Sequence, residues 1–254
     1  MPPLRATRQK HDAANQLSVV QRYYRSFRPG RRVRVIQPNG QTVLAHLQQG
    51  DLDGACGPYC LLMALTILGV APRRGWENIS QRKSGAFVAL WRMLSERFFS
   101  GSYAADVIDC IEEAPDGITY VVSEGRPSTL VDFCVEHLCR DGIVLLGINH
   151  ERRAYGHWTL VIGWEHYCVD SLKASRRVVK PRNARALLCL DPSHAEPYLT
   201  AYNLRIDVER YSRRALTVEM IGSDKAINRV TLDTAIAIRR APPTKSRVKK
   251  ETMK

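Results

Sequence analysis

The sequence predicts an α+β fold, in which helices come first along the chain and an antiparallel sheet follows. Two observations lead to this expectation. Up to about residue 140, apolar residues recur at helical spacings, and one segment, Cys56–Leu68, is apolar almost all round, as expected for a buried helix. From residue 143 onward, short apolar runs separated by polar segments are typical of strands.

The predicted elements begin with an amphipathic helix over residues 13–27, capped by Asp12. Its apolar face would consist of residues spaced by three or four positions: Ala13, Leu17, Val20, Tyr24 and Phe27. Residues 33–47 are expected to form a hairpin around the turn Pro38-Asn39-Gly40. The helix that starts at Cys56 should end at Gly69, because glycine readily adopts the left-handed conformation that ends helices.

Further helices are expected over residues 86–98, 103–113 and 129–140, with a short strand over 118–122. The strands of the sheet are expected at 143–148, 157–164, 186–191 and 204–208, with a final hairpin from 216–221 and 229–238. These elements suggest three parts: a basic N-terminal extension over 1–32, one domain over 33–240 and a disordered basic tail over 241–254.

The net charge of +13 is concentrated at the two ends of the chain. Residues 1–34 contain nine Lys and Arg against one acidic residue, and residues 239–254 contain seven against one. Such ends can bind nucleic acid or an anionic surface without sequence preference. We favour the interpretation that they are solvated tails, because no aromatic platform or groove-reading motif accompanies the charge.

The chain contains seven cysteines, an odd number without the spacing of a disulfide framework. Its longest apolar run is too short to span a bilayer, and no secretory signal is recognisable at the N-terminus. We therefore expect a cytoplasmic protein with reduced thiols, or an effector delivered by a route that the sequence does not display. No metal-ligand spacing is found, so no metal or cofactor is expected. Six cysteines are expected to be buried small hydrophobes: Cys60, Cys110, Cys134, Cys139, Cys168 and Cys189.

Cys56 is the exception, because it follows a polar loop and opens the apolar helix. The positive end of a helix favours the thiolate, which is the nucleophilic form of cysteine. His157 begins a predicted strand and Asp191 ends another, so the chain offers a nucleophile, a general base and an orienting carboxylate in that order. His150 and His166 are the alternatives to His157 as the base.

The segments Cys56-Gly57-Pro58-Tyr59, Gly156-His157-Trp158 and Leu190-Asp191-Pro192 resemble papain-like cysteine peptidases, most closely the bacterial C39-like branch. The resemblance covers about residues 44–195 and implies a central helix packed on an antiparallel sheet. It also implies an oxyanion-hole glutamine about six residues before the nucleophile, where this chain has Gly50. We assign that role to Gln49, with Gln48 as the alternative.

These observations predict a cysteine peptidase that cleaves a peptide or isopeptide bond through a Cys56–His157–Asp191 triad and a thioester. Its partner would be a protein or peptide substrate. The same triad would also serve an acyltransferase or deamidase acting as an effector or toxin. A third possibility is an inactive fold that binds nucleic acid or an anionic membrane through its basic ends.

Overall fold

A computed structural model describes most of the chain, with gaps in loops and at both ends. The described residues are 18–28, 30–51, 53–71, 73–77, 79–81, 84–151, 156–168, 184–208, 218–222 and 227–242. Of the structure, 27% is helical and 38% lies in strands.

The helices all precede the main run of strands. They are α1 Cys56–Ile67, α2 Arg73–Glu77, α3 Ala86–Glu96, α4 Ala104–Glu112 and α5 Pro127–Cys139, with a 3-10 turn at Ile79–Gln81. The early strands are β1 Ser18–Tyr23, β2 Phe27–Arg28, β3 Arg34–Ile36, β4 Thr42–Leu44 and β5 Ile118–Glu124. The later strands are β6 Ile143–His150, β7 Gly156–Cys168, β8 Ala184–Leu190, β9 Leu204–Asp207, β10 Val218–Gly222 and β11 Ile227–Arg240.

The six later strands form a closed antiparallel barrel, so the predicted papain-like α+β fold is wrong. Each strand from β6 to β11 pairs with its neighbour in sequence, and β11 pairs back with β6 from Val230↔His150 to Ile238↔Ile143. The apolar runs predict all six strands close to their observed positions. Closure depends on pairing between the first and last strands, which lie far apart in the chain, and the local apolar pattern does not encode that pairing.

Two apolar clusters occupy the two faces of the barrel wall. One joins α5 to side chains from all six barrel strands, and the other joins α1, α3 and α4 to the opposite face of β6, β7 and β11. Val144 belongs to the first cluster and its neighbour Leu145 to the second. Burial on both faces explains why β6 is a continuous apolar run rather than an alternating one.

The predicted helix over residues 13–27 is also wrong where the structure describes it. Residues 18–23 form β1, which pairs with the second half of β7 from Ser18↔Cys168 to Tyr23↔Gly163. Because β6 pairs only with the first half of β7, that part of the β7 edge is open for β1. Pairing with this edge overrides the helical spacing of the apolar residues. Residues 13–17 lie outside the described part of the chain.

The other local predictions agree with the structure. The hairpin predicted over 33–47 is formed by β3 and β4. The α1 helix ends just before Gly69, which has a φ of +69°. The tail beyond residue 242 and the segment 169–183 between β7 and β8 lie outside the described residues. In the described part of the chain, none of the helices has both the length and the apolarity needed to cross a membrane.

Candidate active site

The candidate site lies where the N-terminus of α1 meets the barrel. Cys56 is the first residue of α1 and is 7% exposed. The loop before it is closed by Asp53, whose carboxylate accepts hydrogen bonds from the backbone N–H groups of Gly50 at 2.7 Å and Ala55 at 3.2 Å. Pro58 in the first turn costs the helix no hydrogen bond, because N–H groups there have no partner inside the helix. The sulfur therefore lies at the positive end of the helix dipole.

His157 and Asp191 are brought together by the register of two neighbouring barrel strands. β7 and β8 pair antiparallel with Leu160 opposite Leu190, so the start of β7 and the end of β8 lie at the same end of the barrel. His157 Nε2 is 2.8 Å from Asp191 Oδ1, and the two side chains are 11% and 1% exposed. The imidazole is thus held by a buried carboxylate through Nε2, which leaves Nδ1 for another partner.

The electrostatics of this pair favour a charged imidazolium. Burial alone would lower the pKa of His157, but the charge and hydrogen bond of Asp191, together with a hydrogen bond to the Cys56 thiol, raise it well above its usual value. Burial alone would raise the pKa of Asp191, but the charge and hydrogen bond of His157 and a hydrogen bond from Ser193 lower it. Both shifts keep a proton on the histidine rather than on the aspartate at neutral pH.

Two backbone groups among the described residues lie close to the Cys56 sulfur. The backbone N–H of Trp158 donates to it at 3.4 Å, and the sulfur lies 3.9 Å from the carbonyl oxygen of Gly54. An N–H donor aimed at sulfur stabilises the thiolate more than the thiol. The sulfur is therefore placed to receive a negative charge.

The Trp158 ring occupies a tight slot, which fixes the position of the backbone N–H that donates to the Cys56 sulfur. Its Nε1 donates to the carbonyl oxygen of Ser102 at 2.8 Å. A Cβ added at Gly57 would lie 3.2 Å from the ring, and one at Gly147 would lie 3.4 Å from it. The two glycines therefore allow the ring to pack against α1 and β6.

Asp191 is held in place by Asn203, a residue that the sequence pattern does not single out. Asn203 Oδ1 accepts a hydrogen bond from the Asp191 backbone N–H at 2.7 Å, and Asn203 Nδ2 donates to the Asp191 carbonyl oxygen at 2.9 Å. His46 Nε2 lies 3.0 Å from the same oxygen. Ser193 donates to Asp191 Oδ1 from its backbone N–H at 2.8 Å and from its hydroxyl at 2.6 Å. Asn203 and His46 are both buried.

The two glutamine candidates for the oxyanion hole differ in position. Gln49 lines the same cleft as Cys56, whereas Gln48 is exposed and lies outside that lining. The backbone N–H of Gln49 donates to the Pro192 carbonyl oxygen at 2.9 Å, which ties this loop to the segment after β8. Its side-chain Nε2 makes only a long contact of 3.4 Å with the Asp53 carbonyl oxygen. The amide is therefore close to the site and weakly held.

Asp51 and Asp53 both line the cleft but differ in their contacts. Asp51 is exposed, whereas the carboxylate of Asp53 is occupied by the two backbone N–H groups of its own loop.

The alternative histidines occupy different positions. His166 lies toward the far end of β7, where its Nδ1 is 3.1 Å from the Val20 carbonyl oxygen, and burial lowers its pKa. His150 lines the cleft at the end of β6, but the hydrogen bond to Asp191 belongs to His157.

The remaining cysteines match the sequence-based expectation with one exception. Cys60, Cys110, Cys134 and Cys189 are buried free thiols, whereas Cys139 at the end of α5 is exposed. The prediction that Cys139 is buried is therefore wrong, because Cys139 lies on the exposed side of the last turn of α5, whereas its neighbour Leu138 packs in the apolar cluster with Cys134. The side chain of Cys168 is not described.

The cleft that contains the three side chains is open and has a volume of about 1070 Å³. Phe99 and Tyr103 lie on its rim with exposed fractions of 85% and 84%. Within the described residues, no group of three or more His, Cys, Asp and Glu side chains is arranged to hold a metal ion.

Comparison with known proteins does not assign a family. Neither a scan of the sequence against protein-family models nor a search of curated proteins gives a match. The chemistry of the site must therefore be inferred from the side chains themselves.

Proposed function

We propose that this protein is a cysteine peptidase, a thiol hydrolase that cleaves a peptide or isopeptide bond. The observation that carries the proposal is that Cys56, His157 and Asp191 line one open cleft, with His157 hydrogen-bonded to the Asp191 carboxylate at 2.8 Å. Nucleophile, base and orienting carboxylate in this arrangement occur on unrelated folds. The proposal therefore does not depend on a papain-like architecture.

In the proposed resting state, Cys56 is a thiolate beside a protonated His157. The pKa of His157 is raised, and the N-terminus of α1 and the Trp158 N–H both face the sulfur. The thiolate attacks the carbonyl carbon of the substrate, a bond forms between sulfur and carbon, and the carbonyl electrons move to oxygen. The side-chain amide of Gln49 and the backbone N–H of Cys56 are the proposed donors to this oxyanion. Loss of one such donor typically costs about 3–4 kcal/mol of transition-state stabilisation.

Collapse of this intermediate breaks the bond between carbon and the leaving nitrogen. His157 transfers its proton to that nitrogen, so the amine leaves neutral and a thioester remains on Cys56. Neutral His157 then takes a proton from water, and the resulting hydroxide attacks the thioester and releases a carboxylic acid. In every step Asp191 keeps the ring oriented and stabilises the imidazolium.

The cleft favours an extended peptide as the substrate. It is open, and the exposed rings of Phe99 and Tyr103 on its rim offer apolar surface to substrate side chains. The proposed place of action is the cytoplasm, where a catalytic thiol stays reduced.

The first test is the pH dependence of Cys56 alkylation by iodoacetamide, read by peptide mass spectrometry in the wild type and in His157→Ala. Cys139 is the reference thiol in the same spectra, because it is exposed to the reagent and its pKa is raised, mainly by partial burial of the thiol. We expect fast labelling of Cys56 at about pH 6 in the wild type only. If Cys56 follows the profile of Cys139 in both proteins, the thiolate–imidazolium pair does not exist.

The second test is digestion of a mixed peptide library, with Cys56→Ala as the matched inactive variant. New peptide ends produced by the wild type and not by Cys56→Ala support a peptidase. If added amines are instead incorporated at Gln side chains, or are joined to acyl groups without new free acids, the reaction is acyl transfer rather than hydrolysis. Cleavage that survives in Cys56→Ala would end the mechanism.

A further inference from the structure

The two basic ends of the chain meet in a second cavity, which is lined by none of the three proposed catalytic side chains. Arg25 and Arg28, from the basic N-terminal part, line it together with Arg239 and Arg240 at the end of β11. Arg140, directly after α5, is the fifth arginine in its wall. The sequence shows two separate basic ends, whereas the structure shows that parts of both face one space.

This cavity carries an excess of positive charge. Among the described residues that line it, Asp141 is the only acidic one, and it pairs with Arg25 at 3.1 Å. Arg140 pairs with Glu136, which lies outside the lining, and Arg28 donates to the Phe27 carbonyl oxygen at 2.9 Å. Arg239 contacts only the neutral hydroxyl of Thr119, at 3.3 Å, among the contacts of its side chain that the structure describes. Like charges gathered in one concavity repel one another, and a bound anion would relieve that repulsion.

Tyr24, a buried residue of the lining, is influenced by three charged residues of the same cavity. The hydroxyl of Tyr24, which is also in the lining, has a pKa raised mainly by burial, and Arg25, Asp141 and Arg240 all act on it electrostatically. Gln37 also lines the cavity and donates to the Thr66 carbonyl oxygen at 2.7 Å, which closes the C-terminal end of α1. Ile36 of β3 and Ile67 of α1 add apolar side chains to the same lining.

The size of the cavity restricts the type of anion. Its volume is about 750 Å³, in the range of small-molecule pockets and too small for a nucleic-acid strand several nucleotides long. The guanidinium fork matches phosphate oxygens in geometry and charge. Several forks around one small space suit a ligand with several phosphates close together.

We propose that this cavity, the arginine pocket, binds a compact oligophosphate, a small molecule with two or more linked phosphate groups. The pocket requires residues from both basic ends and from the end of α5. It therefore gives those ends a specific role in place of general solvation. This inference is independent of the proposed peptidase activity.

The test uses the full chain and inorganic tripolyphosphate, titrated by calorimetry at constant ionic strength. The double variant Arg140→Gln/Arg240→Gln removes two exposed charges that come from different elements of the pocket wall. Arg92→Gln, on the exposed face of α3 and outside the pocket lining, removes one charge elsewhere and is the control for a general loss of positive charge. Thermal unfolding of all three proteins verifies that they are folded.

We expect saturable binding of one tripolyphosphate to the wild type, at least about tenfold weaker binding to the double variant, and a change of less than about twofold in Arg92→Gln. Absence of saturable binding, or an equal loss in Arg92→Gln, would overturn the proposal. A short single-stranded DNA that binds tightly and is not displaced by tripolyphosphate would also overturn it, in favour of a nucleic-acid surface.

Discussion

Asn203→Ala is the sharpest test of how the candidate site is held together. Asn203 Oδ1 accepts a hydrogen bond from the backbone N–H of Asp191. Asn203 Nδ2 donates to the carbonyl oxygen of Asp191 and, at 3.1 Å, to that of Ala195. Asn203 is 4% exposed and Asp191 is 1% exposed, so water cannot replace these hydrogen bonds without local opening. The substitution should therefore lower both the stability of the protein and the reactivity of Cys56.

The size of the effect follows from the hydrogen bonds that the substitution removes. A net intramolecular hydrogen bond contributes about 1 kcal/mol, and a buried N–H left without a partner costs about 1–3 kcal/mol more. Three lost bonds at about 1 kcal/mol each, and about 1 kcal/mol (the lower end of the range) for the Asp191 N–H left without a partner, give a predicted decrease of about 4 kcal/mol in the free energy of unfolding. Since typical domains are stable by about 5–15 kcal/mol, the variant should still fold.

The assay is equilibrium unfolding in urea followed by tryptophan fluorescence, together with iodoacetamide labelling of Cys56 at about pH 6. Asn149→Ala is the control, because Asn149 is an exposed residue on the same cleft and should cost less than about 0.5 kcal/mol. A decrease below about 1 kcal/mol for Asn203→Ala, with unchanged labelling, would show that Asp191 is positioned by other residues.

Three further predictions concern the same site. Asp191→Asn should slow peptide cleavage by up to about 10⁴-fold but less than His157→Ala, because it spoils orientation without removing the base; wild-type rates in Asp191→Asn would exclude Asp191 from the mechanism. Gly57→Ala, whose new Cβ would lie 3.1 Å from Ser102 and 3.2 Å from Trp158, should cost about 1–3 kcal/mol in urea unfolding and slow Cys56 labelling; an unchanged midpoint and labelling rate would mean that the Trp158 slot is loose. The pKa of Asp191 is lowered in the folded protein, so its ionised form contributes stability above the unfolded-state value of about 3.9, and that contribution is lost as the pH falls through the lower folded-state value. Urea unfolding between about pH 5 and 2 should therefore show a steeper decline in stability for the wild type than for Asp191→Asn, and parallel curves would contradict the shift.

The barrel strands can be located from the sequence, but their closure cannot. Each strand from β6 to β11 has its own apolar run, which reflects burial of that strand. The run does not specify which strand it pairs with. Whether β11 meets β6 depends on the geometry of the whole sheet. For the same reason the edge of β7 that β1 occupies cannot be foreseen, and the apolar spacing before residue 28 favours a helix that does not form.

Some residues of the candidate site can be predicted from the sequence, and others cannot. Cys56, His157 and Asp191 can be singled out because each combines a reactive side chain with a recognisable place at the end of a helix or strand. Asn203 and Ser193 cannot, because polar residues beside strands are common and their importance comes only from contact with Asp191. The arginine pocket likewise depends on chain ends that meet only in three dimensions.

The register of β7 and β8 has a consequence for finding similar sites in other sequences. His157 lies at the start of β7 and Asp191 directly follows β8, whereas β7 ends at Cys168 and β8 begins at Ala184, at the opposite end of the pair. Insertions or deletions in that segment would change the separation of 34 residues without altering the 2.8 Å contact. A search pattern for this arrangement should therefore fix the residues around each of the two positions and leave the gap between them unrestricted in length.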